Sequence, residues 1–267
     1  MLEQFKYINK DKDYVKSLQE EVGAIADGAY GPNTHKAVLS HFGNIIFHMG
    51  KVVPINFDMA EIDMSAPLYE LDDGTKNWYN RKSDPSSICV HWGGLNTRHC
   101  YNVFNMSKGR HVSSHFLLGF NHKKQCMEIL QCLDTGQVAY HAGKFNRHSI
   151  GIDVCMHPDP KYWEKTKKWY PDASLQVCKI PDSRVKGRKI VMIGDELAEF
   201  SREFLIALRE AVGLDHKPVC ENLDVLNIEE AKKFSIVGHH NISARKWDVI
   251  PWVEKLYYGI DDEGSFS

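Results

Sequence analysis

The sequence predicts an α/β fold, with a mixed central β-sheet flanked by helices and a small N-terminal helical domain ahead of it. Three observations predict this. Short apolar runs rich in β-branched residues, among them "SSICV", "HFLLGF", "SIGIDVCM" and "FSIVG", recur from residue 86 onward. A long amphipathic helix, "GDELAEFSREFLIALREAVG", stands between the last two. The first forty-odd residues read as helix, loop and helix. Strands interleaved with helices build a mixed sheet with helical cover.

Val15, Leu18 and Val22 fall at helical spacing in the first segment. "ADGAYGPNT" is dense in turn formers, and Pro32, Asn33 and Thr34 lead into a second helix carrying Ala37, Val38 and Phe42. Residues 1–60 are expected as this helical unit and residues 61–85 as a connection. "IIFHMGKVVPINFDMAEIDM" reads as either extended or helical, so the boundary falls anywhere from Gly43 to Asp63. The second, larger domain is expected over 86–267. Ile88–Val90 reads as a buried strand ending on His91, Trp92 and a Gly93-Gly94 turn. "KQCMEILQCLDTG" reads as a strand and turn. Leu197, Phe200, Phe204, Leu208 and Ala211 form one helical stripe stopped by Gly213. "WDVIPWVEKLYYGI" closes the chain as a helix after Pro251.

Bulk numbers exclude several classes. Hydrophobic residues make up 43% and charged residues 25% of 267 positions, with a net charge of -2 from 33 basic and 35 acidic residues. That is no basic field for nucleic acid. No signal peptide and no membrane span are expected, because no apolar run is long enough. Seven cysteines stand singly with no CxxC pair. They are expected as mostly buried thiols of a reducing compartment.

Metal chemistry has candidates. A catalytic zinc site takes three protein ligands and leaves one position open. His91 closes one strand, His239 follows another, and Asp248 lies nine residues beyond His239. A loop of that length can fold both side chains onto one ion. Against this, the chain has 14 histidines, and a single strand-end histidine is most often only hydrogen-bonded.

The motifs taken in order resemble a known family. "ICVHWGG", "VSSHFLLG", "QVAYHAGKFNRHSIGIDV" and "VGHHNISARKWDVIPW" together are similar to the zinc-dependent N-acetylmuramoyl-L-alanine amidases, a fold shared with phage endolysins and peptidoglycan recognition proteins. The resemblance spans Ser86 to Gly259. It implies zinc ligands at His91, His239 and Asp248, catalytic roles for Asp153 and Lys246, and substrate contacts at His141, Asn146 and Trp92. His240 is read as an incidental neighbour of His239. Three departures stand out. Asp153 replaces the family's usual glutamate, the loop after His239 is a residue short, and Ser114 stands where some members have a tyrosine. Met156–Val191 carries no clean motif and is expected to border a substrate groove. Separately, Leu18-Gln19, Gly23, Asp27-Gly28, Gly31-Pro32, Thr34 and Ala37-Val38 resemble the peptidoglycan-binding domain of cell-wall hydrolases.

Together the resemblances imply a monomeric hydrolase of bacterial peptidoglycan, cutting between N-acetylmuramic acid and L-alanine. They imply an endolysin made in the host cytoplasm and acting on the wall after release, binding neither nucleic acid nor membrane stably. The alternatives are a non-catalytic wall-binding protein and a muropeptide-recycling amidase. Asp248 and Lys246 speak against the first, and the N-terminal motif against the second.

Overall fold

The computed structural model describes residues 5–68, 70–71, 74–94, 96–105, 111–257 and 260. Gly259, the far end of the resemblance, lies outside them. Helices α1 (Lys12–Glu21) and α2 (Pro32–Phe42) form the N-terminal hairpin. Asp11 caps α1 by accepting from Tyr14 N, and Pro32 opens α2, where its missing N–H costs nothing. Buried Gln19 organises the turn between them. Its Nε2 reaches Asp27 Oδ1, Ala29 O and Thr34 Oγ1, and its Oε1 accepts from Gly28 N. Gly28 has φ +75°, and a Cβ there would meet Lys16 at 3.2 Å and the Lys12 carbonyl at 3.3 Å. The polar residues of the N-terminal motif are therefore bonded largely to one another.

Strands β1 (Ile45–His48) and β2 (Lys51–Pro54) pair as an antiparallel hairpin, resolving the ambiguous stretch as extended. This hairpin is tied to the rest of the molecule. The Gln131 side chain bonds both the N–H and the carbonyl of Phe47, and Asp134 accepts from Gly50 N. One apolar cluster holds Phe5, Val15, Tyr30 and Ile46 together with Ile88, Phe116, Phe204 and Trp252. The following segment, expected as a connection, also supplies β3 (Ile62–Asp63) and β4 (Trp78–Asn80).

Beyond residue 86 come β5 (Ser87–Trp92), α3 (Thr97–Asn105), β6 (Phe116–Asn121), β7 (Cys126–Gln131), β8 (Gln137–Ala139) and β9 (Ser149–Val154). Then follow α4 (Trp163–Trp169), β10 (Ser174–Val177), β11 (Lys189–Met192) and the long α5 (Asp195–Ala211). Short elements α6 (Ile228–Ala231), β12 (Ile236–Gly238), α7 (His239–Ile242) and α8 (Val253–Tyr257) complete the order. The expected closing helix is thus a 3-10 turn at Ile250–Trp252 running into α8.

The central sheet has the order β12-β5-β9-β6-β7-β3. Strands β12, β5, β9 and β6 run parallel, β7 is antiparallel to β6, and β3 is parallel to β7. This is the mixed α/β sheet that the sequence predicts. On one face, Phe204 of α5 packs edge-on to Phe116 at 5.3 Å, and α8 packs against α5. Leu197, Phe200, Phe204 and Leu208 are each at most 1% exposed. Burying each such side chain stabilises by about 1.5–3 kcal/mol. Among the described residues no helix is long and apolar enough to cross a membrane. All seven cysteines are free, six of them buried and Cys126 exposed.

Candidate metal centre and active-site cleft

Strand register assembles the site. Gly238 of β12 pairs with Val90 of β5, so His239, the next residue, falls beside His91. His91 pairs with Asp153 of β9. Neighbouring strands lie about 4.8 Å apart, and paired residues point to the same face. His239, His91 and Asp153 thus form a row across three parallel strands, at the carboxyl ends where α/β sheets hold their ligands.

The loop after α7 brings the third donor. His91 Nδ1 lies 2.9 Å from His239 Nδ1, His239 Nδ1 lies 3.1 Å from Asp248 Oδ2, and His91 Nδ1 lies 3.8 Å from Asp248 Oδ2. Donors held about 2.0–2.1 Å from a tetrahedral zinc ion stand about 3.3 Å from one another. The three separations bracket that value. Burial pushes His91 down to about 4, keeping it neutral near pH 7. Burial alone would raise the Asp248 carboxyl, but the two imidazoles outweigh it and hold the group well below the usual carboxylate range. A neutral imidazole beside an ionised carboxylate is the protonation state that a cation requires of its ligands. The residues therefore fit a metal ion.

Beside the cluster, Asp153 accepts a hydrogen bond from Ser114 Oγ. Burial pushes the Asp153 carboxyl up to about 7; the Ser114 bond opposes this, the Asp248 charge adds to it, and the Lys246 charge opposes it. A carboxylate of this kind exchanges protons near neutral pH. Lys246 and Asp153 line the same cleft of about 430 Å³ with Trp92, His157 and Tyr162. Trp92 packs on His157 at 4.2 Å and on Trp247 at 5.2 Å.

The two other residues expected to contact substrate also make bonds within the protein. His141 borders the cleft, but its Nδ1 lies 2.9 Å from His91 Nε2. Asn146 is buried, and its Oδ1 accepts from the backbone N–H groups of His141 and Ala142. Asn146 Oδ1 thus shapes the 141–146 turn. His240 is not incidental either. It is fully buried, and its Nδ1 lies 3.0 Å from the carbonyl of Asp248. A Cβ at Gly238 would stand 2.3 Å from the His240 ring, so that position needs glycine.

Arg184 has no sequence signal of its own. It lies in the motif-poor Met156–Val191 segment and pairs with Asp182 at 2.6 Å. Its guanidinium also donates to the carbonyls of His240, Lys246 and Leu223. The segment expected to border a groove thus also holds the loop that carries Asp248. His157 and Tyr162, from the same segment, do line the cleft.

Fold and site together define an α/β protein with a cation-ready His-His-Asp cluster at the carboxyl edge of a parallel strand set. Residues 81–180 match the family described as N-acetylmuramoyl-L-alanine amidase. The match contains His91, Trp92, Ser114, His141, Asn146 and Asp153, whereas His239, Lys246 and Asp248 lie beyond it and join the site through the fold. No curated protein matches the sequence. Three solved structures are similar. A mutant endolysin from Bacillus subtilis is 23% identical, with 36% of this chain and 62% of that chain covered and a TM-score of 0.27. The match therefore spans less than two thirds of that chain. The catalytic domain of XlyA is 16% identical, covering 72% of this chain and 97% of that one at a TM-score of 0.36. The Ph2119 endolysin from the Thermus scotoductus MAT2119 bacteriophage Ph2119 is 16% identical, covering 69% and 93% at a TM-score of 0.35.

Proposed function

We propose that this protein is a zinc-dependent N-acetylmuramoyl-L-alanine amidase that hydrolyses the bond between N-acetylmuramic acid and L-alanine in bacterial peptidoglycan. In this reading it serves as a phage endolysin, made in the host cytoplasm and acting on the wall. The carrying observation is the convergence of His91 Nδ1, His239 Nδ1 and Asp248 Oδ2 in a cleft that also holds Asp153 and Lys246.

His91, His239 and Asp248 would hold the zinc ion. When bound, zinc lowers the pKa of a coordinated water to about 7 and polarises a carbonyl. Asp153 accepts the proton of the attacking water and later delivers it to the leaving amine of L-alanine. Its carboxyl near 7 suits both transfers. Lys246 places positive charge toward the developing oxyanion, where one fixed donor contributes about 3 kcal/mol. Trp92, packed on Trp247, offers apolar ring surface to the substrate. The N-terminal hairpin, through its likeness to wall-binding domains, would retain the enzyme on the polymer and raise local substrate concentration.

The test is digestion of purified sacculi. The expected products are new L-alanine amino termini, abolished by a chelator and restored by zinc. New reducing sugar ends without free L-alanine termini would refute the amidase assignment. Digestion indifferent to chelator would refute the zinc.

A further inference from the structure

Behind the donor cluster runs a hydrogen-bond chain that the proposed reaction does not use. His91 turns Nδ1 toward His239 and Asp248, while its Nε2 lies 2.9 Å from His141 Nδ1. His141 Nε2 lies 3.3 Å from Ser149 Oγ, and that hydroxyl donates to the carbonyl of Phe145 at 3.0 Å. A hydroxyl has one proton. With that proton given to Phe145, Ser149 must accept from His141. Neutral His141 is then protonated at Nε2 and accepts at Nδ1. His91 must in turn be protonated at Nε2, which leaves the Nδ1 lone pair facing the cluster. With every one of these contacts made, each link has one direction.

The seat of His141 is equally determined. Asn146 Oδ1 holds the backbone N–H of His141, and a Cβ on Gly151 would stand 2.8 Å from the His141 ring. His239 has no comparable partner for its rear nitrogen among the described residues, so the ring whose tautomer is fixed from behind is His91.

We propose that His141 is a positioning residue that fixes the tautomer and ring plane of His91, so that the Nδ1 lone pair is presented to the metal before it arrives. The proposal rests on the zinc reading above. Outer partners of metal-bound imidazoles act in this way, and their loss weakens metal binding about 10- to 100-fold.

The experiment combines chelator competition for zinc on the full chain with imidazole nitrogen NMR of the zinc-free protein. H141L keeps the bulk and removes the acceptor, and zinc binding is expected to weaken about 10- to 100-fold. H141N places Oδ1 where Nδ1 stood and is expected to restore most of that loss. By NMR, His91 is expected as the Nε2-protonated tautomer in the wild type and as a mixture in H141L. Should H141L fail to fold, S149A removes the group that orients His141 and is expected to produce the same mixture. Unchanged zinc affinity in H141L, or His91 protonated at Nδ1 in the wild type, overturns the proposal. Two zinc ions per wild-type chain would also overturn it, making His141 a ligand with Cys89 and His91, whose donor atoms lie within 4.8 Å of one another. A wild type that takes up no zinc refutes the zinc reading, whereas the His91 tautomer reports on His141 independently.

Discussion

Asp153 is one methylene shorter than the glutamate usual in the family, and Ser114 stands where some relatives carry a tyrosine. The structure joins these two departures in one hydrogen bond. A shorter acid reaches less far into the cleft, and the hydroxyl beside it both orients the carboxyl and lowers its proton affinity. Asp153→Asn is expected to retain zinc while losing hydrolysis by at least about a hundredfold, the range for a positioned acid-base group. Metal analysis and sacculus digestion on one preparation check this. Burial pushes the carboxyl up to about 7, so kcat/KM should rise with pH through the neutral range as the base form appears. Ser114 lowers the carboxyl, so Ser114→Ala should move this limb to higher pH. An unmoved limb would detach Ser114 from the proton transfer. Both residues were visible in the sequence, but their bond was not. They lie 39 positions apart and meet only through the β6–β9 pairing.

Among elements, the loop from α7 to Asp248 depends on supports from elsewhere. Arg184 spans three carbonyls, one in α7 and one in this loop among them, and His240 holds the Asp248 carbonyl. Val249, directly after Asp248, has φ +58°, a strained conformation for a β-branched residue that persists only where surroundings enforce it. Arg184→Ala should therefore weaken zinc binding and lower Tm together. Arg184→Lys should rescue little, since a point charge cannot replace a fork that reaches several carbonyls. Titration calorimetry and thermal melts read both effects. Strands and the α5 stripe were legible because period-two and period-3.6 patterns are local. The β5–β9–β12 register and the Arg184 clamp were not, because each joins residues 39 or more positions apart. The N-terminal motif was legible as a motif, yet Gln19, Asp27, Gly28 and Thr34 serve the turn itself.

Across the whole molecule, buried histidines set the response to acid. Burial, with Arg81's charge, pushes His115 down to about 3, and burial pushes His240 down to about 4. The unfolded chain takes up these protons below about 6.5, whereas the folded chain resists until 3 to 4. Stability present above 6.5 is therefore lost as pH falls through this window. Asp134, raised to about 6 by burial, acts in the opposite sense, so single variants isolate the terms. His115→Gln should flatten the acid limb of unfolding free energy by up to about 1.4 kcal/mol per pH unit, measured by urea titrations from pH 4 to 7. An unchanged slope would mean that His115 is not the group titrating. The shared core makes a second prediction. Deleting residues 1–44 uncovers Phe47 and Ile46, so Tm should fall rather than stay constant as it would for a tethered module.

The order of the donors along the chain has a consequence for the cell that makes the protein. His91 and Asp153 emerge early in synthesis, but His239 and Asp248 follow Asp153 by 86 and 95 positions, and β12 must then add to the sheet edge beside β5. At about 5–20 residues per second, the ribosome holds an incomplete donor set for several seconds or more after Asp153 appears. Nascent chains, and products of premature termination before residue 248, carry at most two of the three donors. For the proposed amidase, wall cutting is thereby withheld from any chain that terminates before residue 248.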